Sequence, residues 1–123
     1  MMGPIDRVVT ITIDAAGNIS VSPDPISTEP DRHIVFVILN DHNQEHDVSI
    51  SPFHFEKKKK DDPDDPVHKL GKFSDDVDPG DGGSFSMHVK DKGHFGASGK
   101  YSYKYTVKAS NLPDLDPDID INN

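Results

Sequence analysis

The residues here with the most capacity for chemistry are seven histidines spread over 123 positions. Neutral imidazole binds Cu(II), Zn(II) and Ni(II), so a chain this rich in histidine has ligands to spare. His42 and His46 lie in one polar stretch, Asn40 to Asp47, at a spacing that lets a turn bring both rings onto one ion. His94 lies in a second loop, DKGHFGASG, just before a tyrosine-rich segment. These three are the candidate metal ligands, with Cu or Zn as the candidate ion. The competing reading makes them solvent-exposed loop histidines with no ligand at all. His88 falls on the polar face of an alternating segment, and His33, His54 and His68 read as surface or packing residues.

Other chemistries find less support. Cysteine is absent, which removes disulfides, thiolate zinc sites, iron–sulfur clusters and cysteine nucleophiles together. Asp76, Asp78 and Asp81 are spaced faintly like a calcium loop, but the downstream bidentate Glu is missing and Pro79 interrupts the pattern, so a turn is the better reading. Asp114, Asp116, Asp118 and Asp120 recur at every second position, which reads as the solvated side of an edge strand. There is no Gly-x-Ser-x-Gly elbow, no phosphate-cradling glycine loop and no His-Glu-x-x-His motif, so an enzyme is not expected.

The elements that must position these side chains are strands. Val9, Ile11 and Ile13 alternate with polar residues, and Ile19 and Val21 follow a turn at Gly17-Asn18, giving a hairpin. Pro23, Pro25 and Pro30 mark an edge or a connection. Ile34 to Leu39 is an unbroken apolar run, rich in β-branched residues, and predicts a strand buried on both faces. It opens into the loop bearing His42 and His46, and the chain re-enters a sheet from Val48 to Ser51. Phe85, Met87 and Val89 alternate again, as do Tyr101, Tyr103, Tyr105 and Val107, with Ile119 and Ile121 in a closing strand. The tyrosines read as core, with their phenols reaching water or a backbone carbonyl.

Between the alternating segments, the stretch 56–83 changes character. KKKKDDPDDP sets four lysines before four aspartates and reads as a mobile, solvated loop, with His68, Leu70 and Phe73 anchoring a short turn or brief helix. Phe53 and Phe55 flank His54 just ahead of it. The whole is read as one domain over residues 1–123 with a long charged insertion at about 56–83. About seven strands separated by Gly, Pro and Asp turns, with no convincing helix, predict an all-β, antiparallel Greek-key β-sandwich.

The order of these features resembles the cupredoxin family, the plastocyanin- and azurin-type sandwiches. NDHNQEHDVSI resembles the strand and loop that carry the family's first copper histidine. DPGDGGSFSMHV resembles its "PG, then alternating strand" segment, GKYSYKYTV the strand that delivers the copper-binding cysteine, and DPDIDI the closing strand. The resemblance implies that His46 corresponds to the first family histidine and that Tyr105 stands where the cysteine would be. The loop after it, Thr106 to Pro117, has no His and no Met. A phenol does not replace a soft thiolate, so the resemblance implies a fold without type 1 copper ligands.

Two functions follow as expectations. One is a non-catalytic cupredoxin-like binding or interaction domain without a cofactor, whose partner is an unidentified protein or small ligand. The other is a metal-handling protein using His42, His46 and His94. With 13 basic against 22 acidic residues the net charge of -9 argues against nucleic acid or membrane insertion. A monomer is expected. MMGPIDR has no apolar h-region, so no signal peptide is expected, and the compartment stays open apart from the extracytoplasmic setting that family analogy suggests.

Overall fold

Alternation, more than any single residue, decides the architecture. The computed structural model describes residues 7–50, 55–69 and 72–123, so Phe53, His54, Leu70 and Ser51 lie outside the described residues. The chain folds as strands β1 (Arg7–Ile13), β2 (Ile19–Ser22), β3 (Ile26–Thr28), β4 (His33–Asn40), β5 (His46–Ile50), β6 (Glu56–Lys57), β7 (Ser74–Val77) and β8 (Gly82–His88). A single-turn helix α1 (Lys92–Phe95) precedes β9 (Lys100–Lys104), β10 (Val107–Ala109) and β11 (Asp118–Asn122). Asp91 caps that helix through the backbone N–H of His94, and Gly96 ends it at φ 80°.

The strands form three sheets of order β2-β1-β4-β8, β10-β5-β7 and β3-β11-β9-β6. Their inner faces share one core, in which Val9, Ile11, Ile13, Ile34, Phe36 and Ile38 are fully buried. The orders cross between sheets rather than following the chain, in keeping with a Greek-key β-sandwich. Most pairings are antiparallel as expected, and the sheets are mixed because β1 runs parallel to β4 and β3 parallel to β11. The described residues hold eleven strands rather than about seven. The extra ones are short, and three-residue or two-residue strands leave too few alternations to be read from sequence.

β4 also differs from its forecast. Ile34, Phe36 and Ile38 are buried, but Val35 and Val37 are only half-buried and Leu39 is 44% exposed. The strand is covered on one face only. β-branched residues favour the pleated backbone on either face, so an apolar run does not by itself imply double burial.

The charged stretch departs further from a mobile, solvated loop. Within 56–83, β6 adds to the edge of β9 and β7 pairs with β5. Val67 is fully buried and bridges to Val89. The backbone returns to the core at Pro66 and Val67, both buried.

The recurring aspartates do not guard an edge, since β11 lies between β3 and β9. Instead they face a matching row. Asp118 pairs with Lys58 at 2.6 Å and with Lys104 at 3.9 Å, Asp120 accepts from Ser102 Oγ at 2.7 Å, and Asp116 accepts from Thr106 Oγ1 at 2.8 Å. Most of these groups are exposed enough that each pair contributes about 0–1 kcal/mol.

Tyr103 and Tyr105 are both fully buried, and burial raises both phenol pKa values. Tyr105 packs edge-on against Phe36 and stacks on Phe55, with ring centroids 5.9 and 6.0 Å away. The Tyr103 hydroxyl donates to the Pro63 carbonyl at 2.7 Å, whereas the Tyr105 hydroxyl has no partner among the described residues. Tyr105→Ala should therefore cost about 3–5 kcal/mol in chemical denaturation. Tyr103→Phe should cost about 1 kcal/mol for the lost hydrogen bond, while Tyr105→Phe leaves stability unchanged or higher. A larger loss for Tyr105→Phe than for Tyr103→Phe would reverse the assignment of partners.

Candidate functional site

The loop between β4 and β5 is anchored by one buried amide. Asn40, 1% exposed at the end of β4, donates through Nδ2 to the carbonyls of Gln44 and Val77, both at 2.9 Å. Its Oδ1 accepts the backbone N–H of His42 at 3.1 Å. Three of the amide's four hydrogen-bonding capacities are spent on fixing this turn, which sets the direction in which His42 leaves the backbone.

That turn brings His42 and His46 together. The His42 Nδ1 and His46 Nε2 atoms are 2.8 Å apart, and the rings are stacked with centroids 5.1 Å apart. His46 Nδ1 lies 2.8 Å from the Ser110 carbonyl. A carbonyl only accepts, so His46 carries its proton on Nδ1 and offers Nε2 as a lone pair. With both rings neutral, His42 then donates from Nδ1. His46 is fully buried, so both of its nitrogens are satisfied inside the protein.

A glycine and a group of acidic residues surround the pair. Gly17, at φ +82°, lies against the His42 ring, and a Cβ there would approach His42 Nε2 to 3.2 Å. Acidic groups rim the loop: the carboxylate of Asp78, with those of Asp76 and Asp47, holds the Glu45 carboxyl above the usual range.

The third predicted ligand lies elsewhere. His94 is on α1, where its Nε2 donates to the Asp64 carbonyl at 2.8 Å. That helix follows Lys90, which accepts from the backbone N–H of Asp31 just ahead of the His33 end of β4, whereas His42 and His46 are at the Asn40 end. Eight strand residues separate the two ends, on the order of 20 Å. His94 therefore does not join the pair, and among the described residues no three His, Cys, Asp or Glu side chains converge as a metal group would.

The correspondence drawn for Tyr105 is also corrected. Val107 pairs with Ile50 and Ala109 with Val48, so Tyr105 lies beyond the Ile50 end of β5 while His46 begins that strand. The residue meeting His46 from this part of the chain is Ser110. Five positions of extended chain span up to roughly 16 Å, and sequence similarity does not fix such an offset.

A second grouping was missed. His33 and His88 are directly opposite on β4 and β8, with rings stacked 4.4 Å apart at an interplanar angle of 8°. His68 also lies close to His88, with centroids 4.8 Å apart and the rings tilted by 32°. The available signal was parity: both His33 and His88 occupy outward positions of alternating strands, though their pairing partners could not be read.

No protein-family model matches the sequence, and no curated protein matches it. Among solved structures, the multicopper oxidase McoA of the hyperthermophile Aquifex aeolicus is similar at 12% identity and a TM-score of 0.51, covering 98% of this chain and 30% of that one. Auracyanin B is similar at 12% identity and a TM-score of 0.46 over 100% of this chain and 93% of that one. A PapD-like domain of human CEP192 gives 14% identity and a TM-score of 0.46 over 100% and 89%. This chain thus spans less than a third of the oxidase. Likeness at such identity concerns the fold alone: the β-sandwich of this chain is similar to a part of the oxidase.

His46→Ala removes two hydrogen bonds, strands the Ser110 carbonyl and opens a cavity, so it should cost about 2–4 kcal/mol. His42→Ala, at a half-buried ring with one side-chain bond, should cost about 1 kcal/mol. Urea unfolding of both variants tests this, and equal losses would mean His46 is not the buried anchor.

Proposed function

We propose that this domain is a non-catalytic binding module of cupredoxin-like fold that carries no blue-copper centre. The observation behind this reading is the outer face of the β2-β1-β4-β8 sheet. Val8, Val35, Val37 and Leu39 form its centre, with Val8 52% and Leu39 44% exposed. Threonine and serine positions of β1, β2 and β8 surround them. The outward strand positions of this face hold no Asp, Glu, Lys or Arg, although 28% of the sequence is charged. An uncharged, partly apolar surface on an otherwise highly charged protein is suited to docking another protein.

The absence of cysteine from the sequence supports the copper-free part of the reading, because the type 1 centre depends on a thiolate. Ser49 and Ser86 lie within strands, which supports a non-catalytic role. A net charge of -9 favours a protein partner over nucleic acid or an anionic membrane, with the free domain monomeric.

A second reading has one observation in its favour. The Ser110 carbonyl fixes His46 with Nε2 presented as a lone pair, which is how a metal-binding histidine is commonly oriented, and His42 is beside it. Binding there would use His42 and His46 without His94, and His42 would have to give up its hydrogen bond.

Two measurements separate these readings. A photo-crosslinking side chain at Val37 should form discrete protein adducts in an extract of the source organism, while one at Lys108 on β10 should not. Equal capture at both positions, or none, argues against the docking face. Cu(II) titration should give no intense thiolate-to-copper absorption, and the His42 and His46 ring signals should stay in place. Their selective loss on adding Cu(II) would favour the metal reading.

A further inference from the structure

The uncharged face of the β2-β1-β4-β8 sheet is unequally bordered. Its three long strands and the shorter β2, about 4.8 Å apart, present roughly 400 Å². A standard interface covers about 800 Å² on each partner, so a docked protein must also rest on ground beside the face. At the Asn40 end that ground is three loops, 14–18, 41–45 and 78–81. They carry Asp14, Asp41, Glu45, Asp78 and Asp81, and no lysine or arginine. Backbone hydrogen bonds gather them: the Asp41 N–H donates to the Ile13 carbonyl at 2.8 Å and the Asn40 N–H to the Asp81 carbonyl at 3.0 Å.

All five acidic residues are exposed. Asp14 Oδ1 accepts the backbone N–H groups of Asn18 and Ala16, both at 2.9 Å, which holds its carboxyl below the usual range. Glu45 is raised by Asp78 and its acidic neighbours, as crowded like charges do when no cation lies among them. The His33 end is different, because there the acids are matched. Arg32 pairs with Glu29 at 3.5 Å, and Asp31 accepts from His88 Nε2 at 2.7 Å. Leu39 stands where the apolar and acidic surfaces meet. Its Cδ2 would lie 3.8 Å from a Cβ at Gly82, the residue after Asp81. Two extended positions separate Leu39 from Asp41, on the order of 7 Å, which is inside the ~8 Å Debye length at physiological salt.

From this asymmetry we infer the chemistry of the partner: a protein whose contact surface is aliphatic at its centre and bears lysines or arginines along one border. Its aliphatic groups sit on Val35, Val37 and Leu39, and its cations over the loops of the Asn40 end. The inference rests on the docking reading, and adds to it the sign of the partner's charge and its direction on the sheet. The uncharged centre costs little to desolvate, while the charged border speeds encounter and fixes orientation. An anionic partner would set like charges against these loops. A second copy of this chain offers no free cationic border, since Arg32 and His88 are engaged with Glu29 and Asp31, and Arg7 Nε donates to the Ser27 carbonyl.

Two synthetic peptides test the sign of the charge: an alternating leucine–serine segment ending in lysines, and the same segment ending in glutamates. In an amide NMR titration of the intact domain at low salt, the lysine peptide should shift the Thr12, Val37 and Leu39 signals and bind about tenfold tighter than the glutamate peptide. That advantage should vanish at high salt and in Asp41→Asn/Asp81→Asn, and persist in Asp116→Asn beside β11. Circular dichroism establishes that each variant is folded. Equal binding of the two peptides, binding of neither, or shifts centred on Asp116–Asp120 would overturn the inference. The photo-crosslinker at Val37 keeps its failure apart from that of the docking reading. Adducts lost in Asp41→Asn/Asp81→Asn, with lysine- or arginine-bearing segments recovered at the crosslink, support both. Adducts undiminished in that variant, or formed with a second copy of the chain, overturn the cationic partner and leave the docking face standing. No adducts at all remove both.

Discussion

The structure depends on one strand being held from both sides. β4 pairs in parallel with β1, Ile34 to Asn40 against Arg7 to Ile13, and antiparallel with β8 from His33 to Leu39. Those two ladders lock its parity, so Ile34, Phe36 and Ile38 must point inward. A slip of one residue would turn them out and bring Val35, Val37 and Leu39 in. The same locked parity puts His33 outward at one end and Asn40 inward at the other. Both histidine groupings therefore follow from the register of β4. At the Asn40 end a buried amide folds the loop so that His42 meets His46. At the His33 end, the partner strand delivers His88 to the opposing position.

Much of this was legible in the sequence, and the limits have physical causes. The period-two segments of β1, β8 and β9 specified their inward faces, and the order of strands and loops carried the likeness to a cupredoxin-like sandwich. The pairing direction was not readable, because alternation is the same in parallel and antiparallel neighbours. β6 and β7 were hidden in charged sequence, where backbone pairing rather than side-chain burial makes the strand. Of the three ligand candidates, the closeness of His42 and His46 could be anticipated from local spacing. The distance to His94 could not, since it depends on which end of the sandwich each loop reaches. The row of His33, His88 and His68 is separated by long stretches of chain and exists only through strand pairing.

The two outer surfaces handle polarity differently. Around β9 and β11, charges face opposite charges, with Asp116, Asp118 and Asp120 set against lysine and hydroxyl partners. Around β1 and β4, hydroxyls and aliphatic groups replace charge altogether. A paired ionic lattice is well solvated and discourages close approach by another protein, whereas desolvating an uncharged face is cheap. The sandwich is therefore polarised in the kind of contact it can make, not only in its net charge.

The parallel pairing of β3 with β11 has a consequence for how the chain reaches this state. Ile26 lies beside Ile119 and Thr28 beside Ile121, contacts between distant points of the sequence. β11 is also the neighbour of β9, so it is an interior strand of its sheet. Closing such long loops costs entropy before any local reward, and topologies of this kind fold in milliseconds to seconds rather than microseconds. During synthesis the β3 and β9 edges stay unmatched until β11 has emerged, leaving open backbone edges in the nascent chain. The lysines and aspartates flanking those edges then act as gatekeepers against intermolecular strand addition.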